Sequence, residues 1–223
     1  MLRLYSWQPA AVSLGFGQRS AEIDREGCRR HGIDVTRRIT GGRAVLHQAE
    51  LTYAVVVEAE RLRVGKSVAR AYQLLTAPLI AALRAVGVEA SCSPRTGPLT
   101  DRDPACFATA IGGDLSVGGR KLVGSAQCHK FGGILQHGAL PLRIDESLLT
   151  ACLKRPPGAT RQWTCLEELR VELTAELFAA PLAEAYTELL GGRPEIGQPT
   201  AAERQAMAAL APKYAGEEWV YRL

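Results

Sequence analysis

Aromatic side chains are scarce: Phe, Trp and Tyr together make up 6% of the 223 residues. No basic run interleaves them, which argues against a surface that stacks bases along a charged groove. The six cysteines (Cys28, Cys92, Cys106, Cys128, Cys152 and Cys165) contain no C-x-x-C pair and no regular spacing. The close ligand pairs of a structural zinc site are therefore missing, and no metal is expected. No long apolar run is unbroken. The strongest window, 68–88, is interrupted by Tyr72, Gln73, Thr76, Pro78 and Arg84, so it reads as a buried or amphipathic helix and not as a membrane span. The first residues lack a charged stretch, apolar core and small-residue cleavage site in order, so no export signal is read and a cytoplasmic location is expected. In that setting each cysteine is expected to be a reduced, mostly buried thiol. Internal repeats and low-complexity tracts are also missing.

What is present is an ordinary globular composition with a basic bias. The net charge is +4 and the cations bunch at Arg29-Arg30, at Arg37, Arg38 and Arg43, and at Arg120-Lys121 with Lys130 nearby. Nucleic acid is one partner such bunching serves, but an acidic protein or an anionic small molecule suits this balance at least as well. Most such bunches are solvated faces.

The pattern along the chain predicts strands over 2–6, 11–15, 33–38, 44–47 and 51–58. A helix is expected over 20–31, capped by Ser20 and stopped at Gly32. Residues 67–86 carry apolar side chains at helical steps, with Pro78 expected to kink or split the helix. A short strand at 88–92 and a loop over 93–104 precede strands at 105–110, 114–117, 120–127 and 132–141. Gly118-Gly119 is a hairpin turn, since both positions tolerate positive φ. Beyond residue 143 the texture turns helical, at 144–153, 165–178, 181–190 and 201–214. The chain reads as one α+β domain, a strand-rich body of about 1–142 followed by a helical part of about 143–223.

Two constellations carry chemistry. In the first, Arg38, Gly41, Gly42, Arg43 and His47 fall within ten residues. Adjacent glycines let a ligand or another backbone approach closely, and the arginines supply fixed charge; a bulge, a tight turn and a structural histidine are the plainer readings. His137-Gly138 allows a similar approach on another strand. The second is Cys106 with Lys121. Hairpin pairing returns Lys121 beside Ser116, which brings it toward a neighbouring strand carrying Cys106. An ammonium there favours the thiolate, a nucleophile for thioesters. From these residues alone, a buried core cysteine and a solvated lysine remain the commoner arrangement. Cys128-His129 is a weaker pair, because neighbours on a strand face opposite ways.

Several segments, in order, resemble the octanoyl-acyl-carrier-protein:protein N-octanoyltransferases of the lipoate–protein ligase-like (LipM-type) family. They are Leu4-Tyr5-Ser6-Trp7-Gln8-Pro9; Ser13 to Gln18; Arg37-Arg38-x-Thr40-Gly41-Gly42-Arg43-Ala44-Val45-Leu46-His47 with Glu50 to Tyr53; Ala105-Cys106-Phe107-Ala108; Arg120 to Gln127; Ile134 to Gly138; and Glu217-Glu218-Trp219-x-Tyr221. The resemblance implies a mixed β-sheet flanked by helices, shared with biotin ligases, and a cofactor-free reaction. It implies that Cys106 carries an octanoyl thioester, that Lys121 lowers the thiol pKa and shuttles protons, and that Arg38, Gly41, Gly42, Arg43, His47, Gly124 and His137 bind substrate. The implied donor is octanoyl-acyl carrier protein; the implied acceptor is a lysine of a lipoyl domain, the glycine-cleavage H protein, with no nucleic acid or membrane involved. The family's first strand and helix have no counterpart before Leu2. An ATP-dependent lipoate ligase, an octanoyl amidotransferase between lipoyl domains, and a non-enzymatic binder of carrier or lipoyl domains are the alternatives. The cysteine and the Thr-Gly-Gly-Arg form favour the transferase.

Overall fold

The computed structural model describes residues 1–65, 67–93, 103–106, 113–156 and 161–223. Its larger sheet is built from β1 (Leu2–Tyr5), β5 (Glu50–Glu58), β6 (Ser91–Cys92), β7 (Leu115–Val117), β8 (Arg120–Lys130) and β9 (Gly133–Pro141), in the order β1-β5-β9-β8-β7-β6 with every pairing antiparallel. A second sheet, β3-β2-β4, joins β2 (Ala11–Leu14) in parallel to β3 (Asp34–Arg37) and antiparallel to β4 (Val45–His47). The α+β class stands as expected, and the mixed character resides in this smaller sheet. No helix among the described residues is long and apolar enough to cross a membrane.

Two cores result. One face of the large sheet packs Tyr53, Val55, Leu122 and Ile134 against α2 (Val68–Ala85) and α4 (Ala175–Leu190). The small sheet packs Val12 and Leu14 against α1 (Arg25–Arg30), α3 (Glu146–Cys152) and the fully buried Trp163. The hairpin turn at Gly118-Gly119 has both residues at positive φ, and Lys121 pairs with Ser116, as the sequence predicts. Within β5, Val55 and Val57 are buried but Val56 between them is exposed, because successive strand side chains face opposite ways.

Three expected helices come out differently. Residues 20–31 are a short 3-10 turn (Ser20–Glu22) followed by α1, because Ile23 between them is extended and bridges Leu153. Asp24, not Ser20, caps α1 by accepting from the Gly27 N–H; the Ser20 hydroxyl instead donates to the Leu223 carbonyl. Helix α2 runs unbroken through Pro78. An interior proline costs roughly 3 kcal/mol, whereas its neighbours Leu75 and Leu79 are both fully buried and each contributes about 1.5–3 kcal/mol; burial wins. Residues 165–174 of the expected helix 165–178 are not helical, and 175–178 are the first turn of α4. The N–H groups of Leu166 and Glu167 bond the carbonyls of Pro141 and Leu142 instead of a helical ladder, Arg170 turns left-handed, and Thr174 caps α4, which continues across Pro181. Beyond these lie α5 (Ala201–Ala215), with a Thr200–Glu203 capping box, and α6 (Glu217–Val220). Of the expected strand 105–110, Ala105 bridges Ala44 in parallel and 107–110 lie outside the described residues, as do 94–102 of the expected loop.

Arg37, expected on a solvated face, is almost completely buried. Its guanidinium donates to the carbonyls of Gly15, Phe16, Gln18 and Val220, tying the C-terminal segment to β2 and β3. Replacing it with Met leaves several buried carbonyls without donors, at about 1–3 kcal/mol each. Urea unfolding of Arg37→Met should therefore show a loss above roughly 3 kcal/mol, while Arg29→Met on the exposed end of α1 should stay within about 0.5 kcal/mol.

Candidate active site

Cys106 is held by its own backbone. The Ala44 N–H donates to the Pro104 carbonyl and the Cys106 N–H donates to the Ala44 carbonyl, at 2.9 and 2.7 Å. This bridge fastens the cysteine directly to the segment that follows the glycine pair. Just upstream, the buried Asp103 carboxylate accepts from the Ala105 N–H and pairs with the Arg155 guanidinium at 2.7 Å, and Arg155 in turn lies over the Trp163 ring. Four separated parts of the chain thus converge to fix one thiol.

Lys121 reaches this thiol from β8. It is 1% exposed, locked on its other side because its backbone pairs with Gln162 and Thr164. The Nζ donates to the Cys106 carbonyl at 2.8 Å, lies 3.7 Å from Cys106 Sγ, and pairs with an Asp114 Oδ2 at 2.8 Å. Burial alone would push the ammonium down; the negative charges of Cys106 and Asp114 outweigh it and hold the group above the ordinary lysine value. Gly124, three residues further along β8, keeps the space open. A Cβ there would stand 3.1 Å from Lys121 Cε and 3.4 Å from Cys106 Sγ.

The cleft around this pair has a volume of about 420 Å³, within the range of small-molecule sites. Its walls include Arg38, Gly41, Gly42, His47, Cys106, Lys121, Gly124 and His137. The exception among the expected residues is Arg43, whose side chain does not line the cleft. It lies 3.9 Å from Glu22, and its carbonyl accepts from Arg38. Of the glycine pair, Gly42 needs glycine for its φ of +94°, and its carbonyl sits where a Cβ of Gly15 would be, so Gly15 needs glycine for that close approach; Gly41 is exposed at the rim.

Arg38 braces the glycine turn by donating to the Gly41, Arg43 and Ser13 carbonyls. Behind it runs a buried chain: Ser13 Oγ lies 2.7 Å from His47 Nε2, and His47 Nδ1 lies 2.6 Å from a Glu50 Oε1 that also accepts from Thr52. The Trp7 ring stacks on the imidazole with centroids 4.2 Å apart. Both nitrogens of His47 are occupied, so it orients Ser13 and through it Arg38. His137, across the cleft, bonds Thr40 Oγ1 at 2.6 Å. Burial first, then the charges of Arg38 and His47, push its pKa down to about 4, leaving a neutral imidazole.

Asp114, Arg155, Ser13 and Glu50 escape the sequence reading as site residues. Asp114 is legible only as the start of a strand, and Arg155 lies beside a proline-rich loop 52 positions from Asp103. Nothing local marks either as a contact of the thiol's surroundings.

A catalytic domain of the lipoate–protein ligase type is defined by this fold. Lipoate-protein ligase A bound with ATP superposes with a TM-score of 0.82 at 25% identity, covering 99% of this chain and 85% of that one. The bipartite lipoate protein ligase of Thermoplasma acidophilum gives 0.77 at 24%, covering 99% and 83%. The lipoyl protein ligase A/B catalytic domain model matches residues 1–187. Octanoyltransferase LipM of Kyrpidia tusciae is 38% identical over an alignment spanning 99% of this chain and 86% of the relative. The chain belongs to the LipM octanoyltransferase family.

Two outcomes are expected from this geometry. Gly124→Ala forces the lysine end away from the sulfur, so alkylation of Cys106 by iodoacetamide, followed by peptide mass spectrometry, should slow several-fold while the unfolding free energy changes by under about 1 kcal/mol. The depressed His137 pKa makes the unfolded chain bind a proton that the folded one refuses. Its contribution to stability is complete above pH 6.5 and is lost as pH falls from 6.5 toward about 4, on the order of 3 kcal/mol in all. Urea titrations across that window should show His137→Gln lacking this part of the slope.

Proposed function

We propose that this chain is an octanoyltransferase of lipoate biosynthesis, acting as one catalytic unit in which Cys106 is acylated by an octanoyl-carrier thioester and then acylates a lysine of a lipoyl domain, the H protein of glycine cleavage in the first instance. The observation that carries the reading is the 3.7 Å approach of the buried, charged Lys121 to Cys106 Sγ inside a cleft. It is supported by the octanoyltransferase name of a relative spanning nearly the whole chain and by a neighbour solved as a ligase with its E2 lipoyl domain.

The chemistry balances on these groups. The Cys106 thiolate attacks the donor's thioester carbonyl; the tetrahedral adduct collapses and the carrier thiolate leaves, taking a proton from the Lys121 ammonium. A new thioester now stands on Cys106, and one of the two negative charges that held Lys121 protonated has gone. Burial then favours the neutral amine. In the second half-reaction the neutral amine of the acceptor lysine attacks the acyl group, its proton passes to Lys121, an amide forms and the thiolate is restored. Asp114 keeps the lysine end in place throughout. His137 and Arg38 wall the acyl end of the cleft, and the open space above Gly41 and Gly42 admits the carrier arm.

A ligase that activates an acid with ATP shares the fold, so the fold does not choose between the two; the sulfur does. Incubation with octanoyl-acyl carrier protein and no nucleotide should add one octanoyl mass to the intact chain, removable by hydroxylamine. Cys106→Ser should abolish the adduct, Cys128→Ser should keep it, and Lys121→Met should slow its formation by about 10²–10⁴-fold. Labelling that requires ATP and survives Cys106→Ser would decide for the ligase.

A further inference from the structure

Beyond the cleft, β8 runs on to a second depression of different chemistry. It is lined by Lys130, Lys213 and Arg222 around the rings of Phe16, Tyr214 and Trp219, and no carboxylate is among its described walls. The cations are set against the rings. Arg222 lies 3.7 Å from the Phe16 centroid and 5.0 Å from that of Trp219, Lys130 is 5.6 Å from Phe16, and Lys213 is 5.5 Å from Trp219. Buried Arg37 stands behind them, its pKa pulled down by burial and by Arg222. Phe131, at the β8–β9 turn, is fully exposed on the rim. An apolar floor with three cations and no acid is complementary to an acidic protein surface.

The distance selects which one. Gly124 marks the sulfur, and from there to Lys130 the strand continues for six residues, ~20 Å at ~3.3 Å each. An acceptor lysine brings its amine on a four-carbon stem and must dock at the cleft mouth itself. A carrier that presents its acyl group as a thioester on a flexible arm can rest away from the mouth and let the arm cover the gap. Resting on the acyltransferase reading, we propose that the groove of Lys130, Lys213, Arg222, Phe16 and Trp219 docks the acidic acyl-carrier domain of the donor, whose arm enters the cleft past Ile39 and the rim at Gly41 and Gly42.

Lys130 and Lys213 are both exposed and neither touches the thiol, so Lys130→Glu with Lys213→Glu tests this without disturbing the chemistry. Four measurements are compared with the native chain: binding of labelled acyl carrier protein by fluorescence anisotropy, acylation of Cys106 by octanoyl-acyl carrier protein, acylation by octanoyl-pantetheine, and transfer from acylated Cys106 to a lipoyl domain. The double variant should bind the carrier protein at least ten-fold more weakly and show a KM for its octanoyl form raised in proportion, with kcat unchanged. The pantetheine reaction should keep its native rate, and the salt dependence of carrier binding should flatten. Unchanged carrier binding, or a selective rise in KM for the lipoyl-domain acceptor, overturns the proposal. If neither donor acylates the native chain, the enzymatic reading falls; anisotropy still decides the docking site by itself.

Discussion

The site rests on a lysine that is charged although almost nothing of it reaches solvent. An ammonium removed from water is strongly disfavoured unless it is paired and fully hydrogen-bonded. Here Asp114 supplies the pair and the Cys106 carbonyl a neutral acceptor, both at 2.8 Å, with the sulfur at 3.7 Å. The aspartate carries the standing charge and the sulfur the variable one. A sulfur that alternates between thiolate and thioester therefore alternates the number of anions around the lysine. This makes the same ammonium a proton donor in one half-reaction and an acceptor in the next, in the chemistry proposed above.

Such an arrangement tolerates little movement, and much of the surrounding structure is devoted to preventing it. Cys106 is bonded through its backbone to Ala44, and the Asp103–Arg155 pair clamps the preceding turn. Lys121 is paired on one side through the hairpin with Ser116 and on the other with the strand-like segment at Trp163. Arg37 and Trp219 fasten the chain's last residues beneath the glycine turn. The two cores meet at this point: Leu122, next to Lys121, belongs to the large-sheet core, and Ala105, next to Cys106, belongs to the other. Cys106 and Lys121 lie at the seam between two packed bodies, held from both sides, with the cleft as the space between them.

Local signals read well wherever a short-range rule had no competitor. The Gly118-Gly119 hairpin and the helix at 201–214 both follow from neighbouring residues. They failed where a distant contact outbid the local one. Ile23 leaves a helical pattern because Leu153 pairs with it, and Leu166 spends its N–H on Pro141. Pro78 stays inside a helix because the leucines on either side are buried. For the site, the chemistry-bearing types were visible: a cysteine, a lysine after a tight turn, a glycine pair framed by arginines and a histidine. Their division of labour was not. Arg38 braces the glycine turn, Arg43 turns aside to Glu22, and Arg37 disappears into the interior, although the three lie within seven positions.

By itself the sequence determined the α+β class, the hairpin that returns Lys121, and the order of motifs that marks the family, because each of these is written in residues close together in the chain. Tertiary structure alone decided that Asp114 stabilises the lysine, that Arg155 anchors the thiol's loop, and that His47 is saturated by Ser13 and Glu50. Coulomb energy and burial depend on distances in space, and positions 103, 106, 114, 121 and 155 acquire a common electrostatic environment only when both sheets have closed around them.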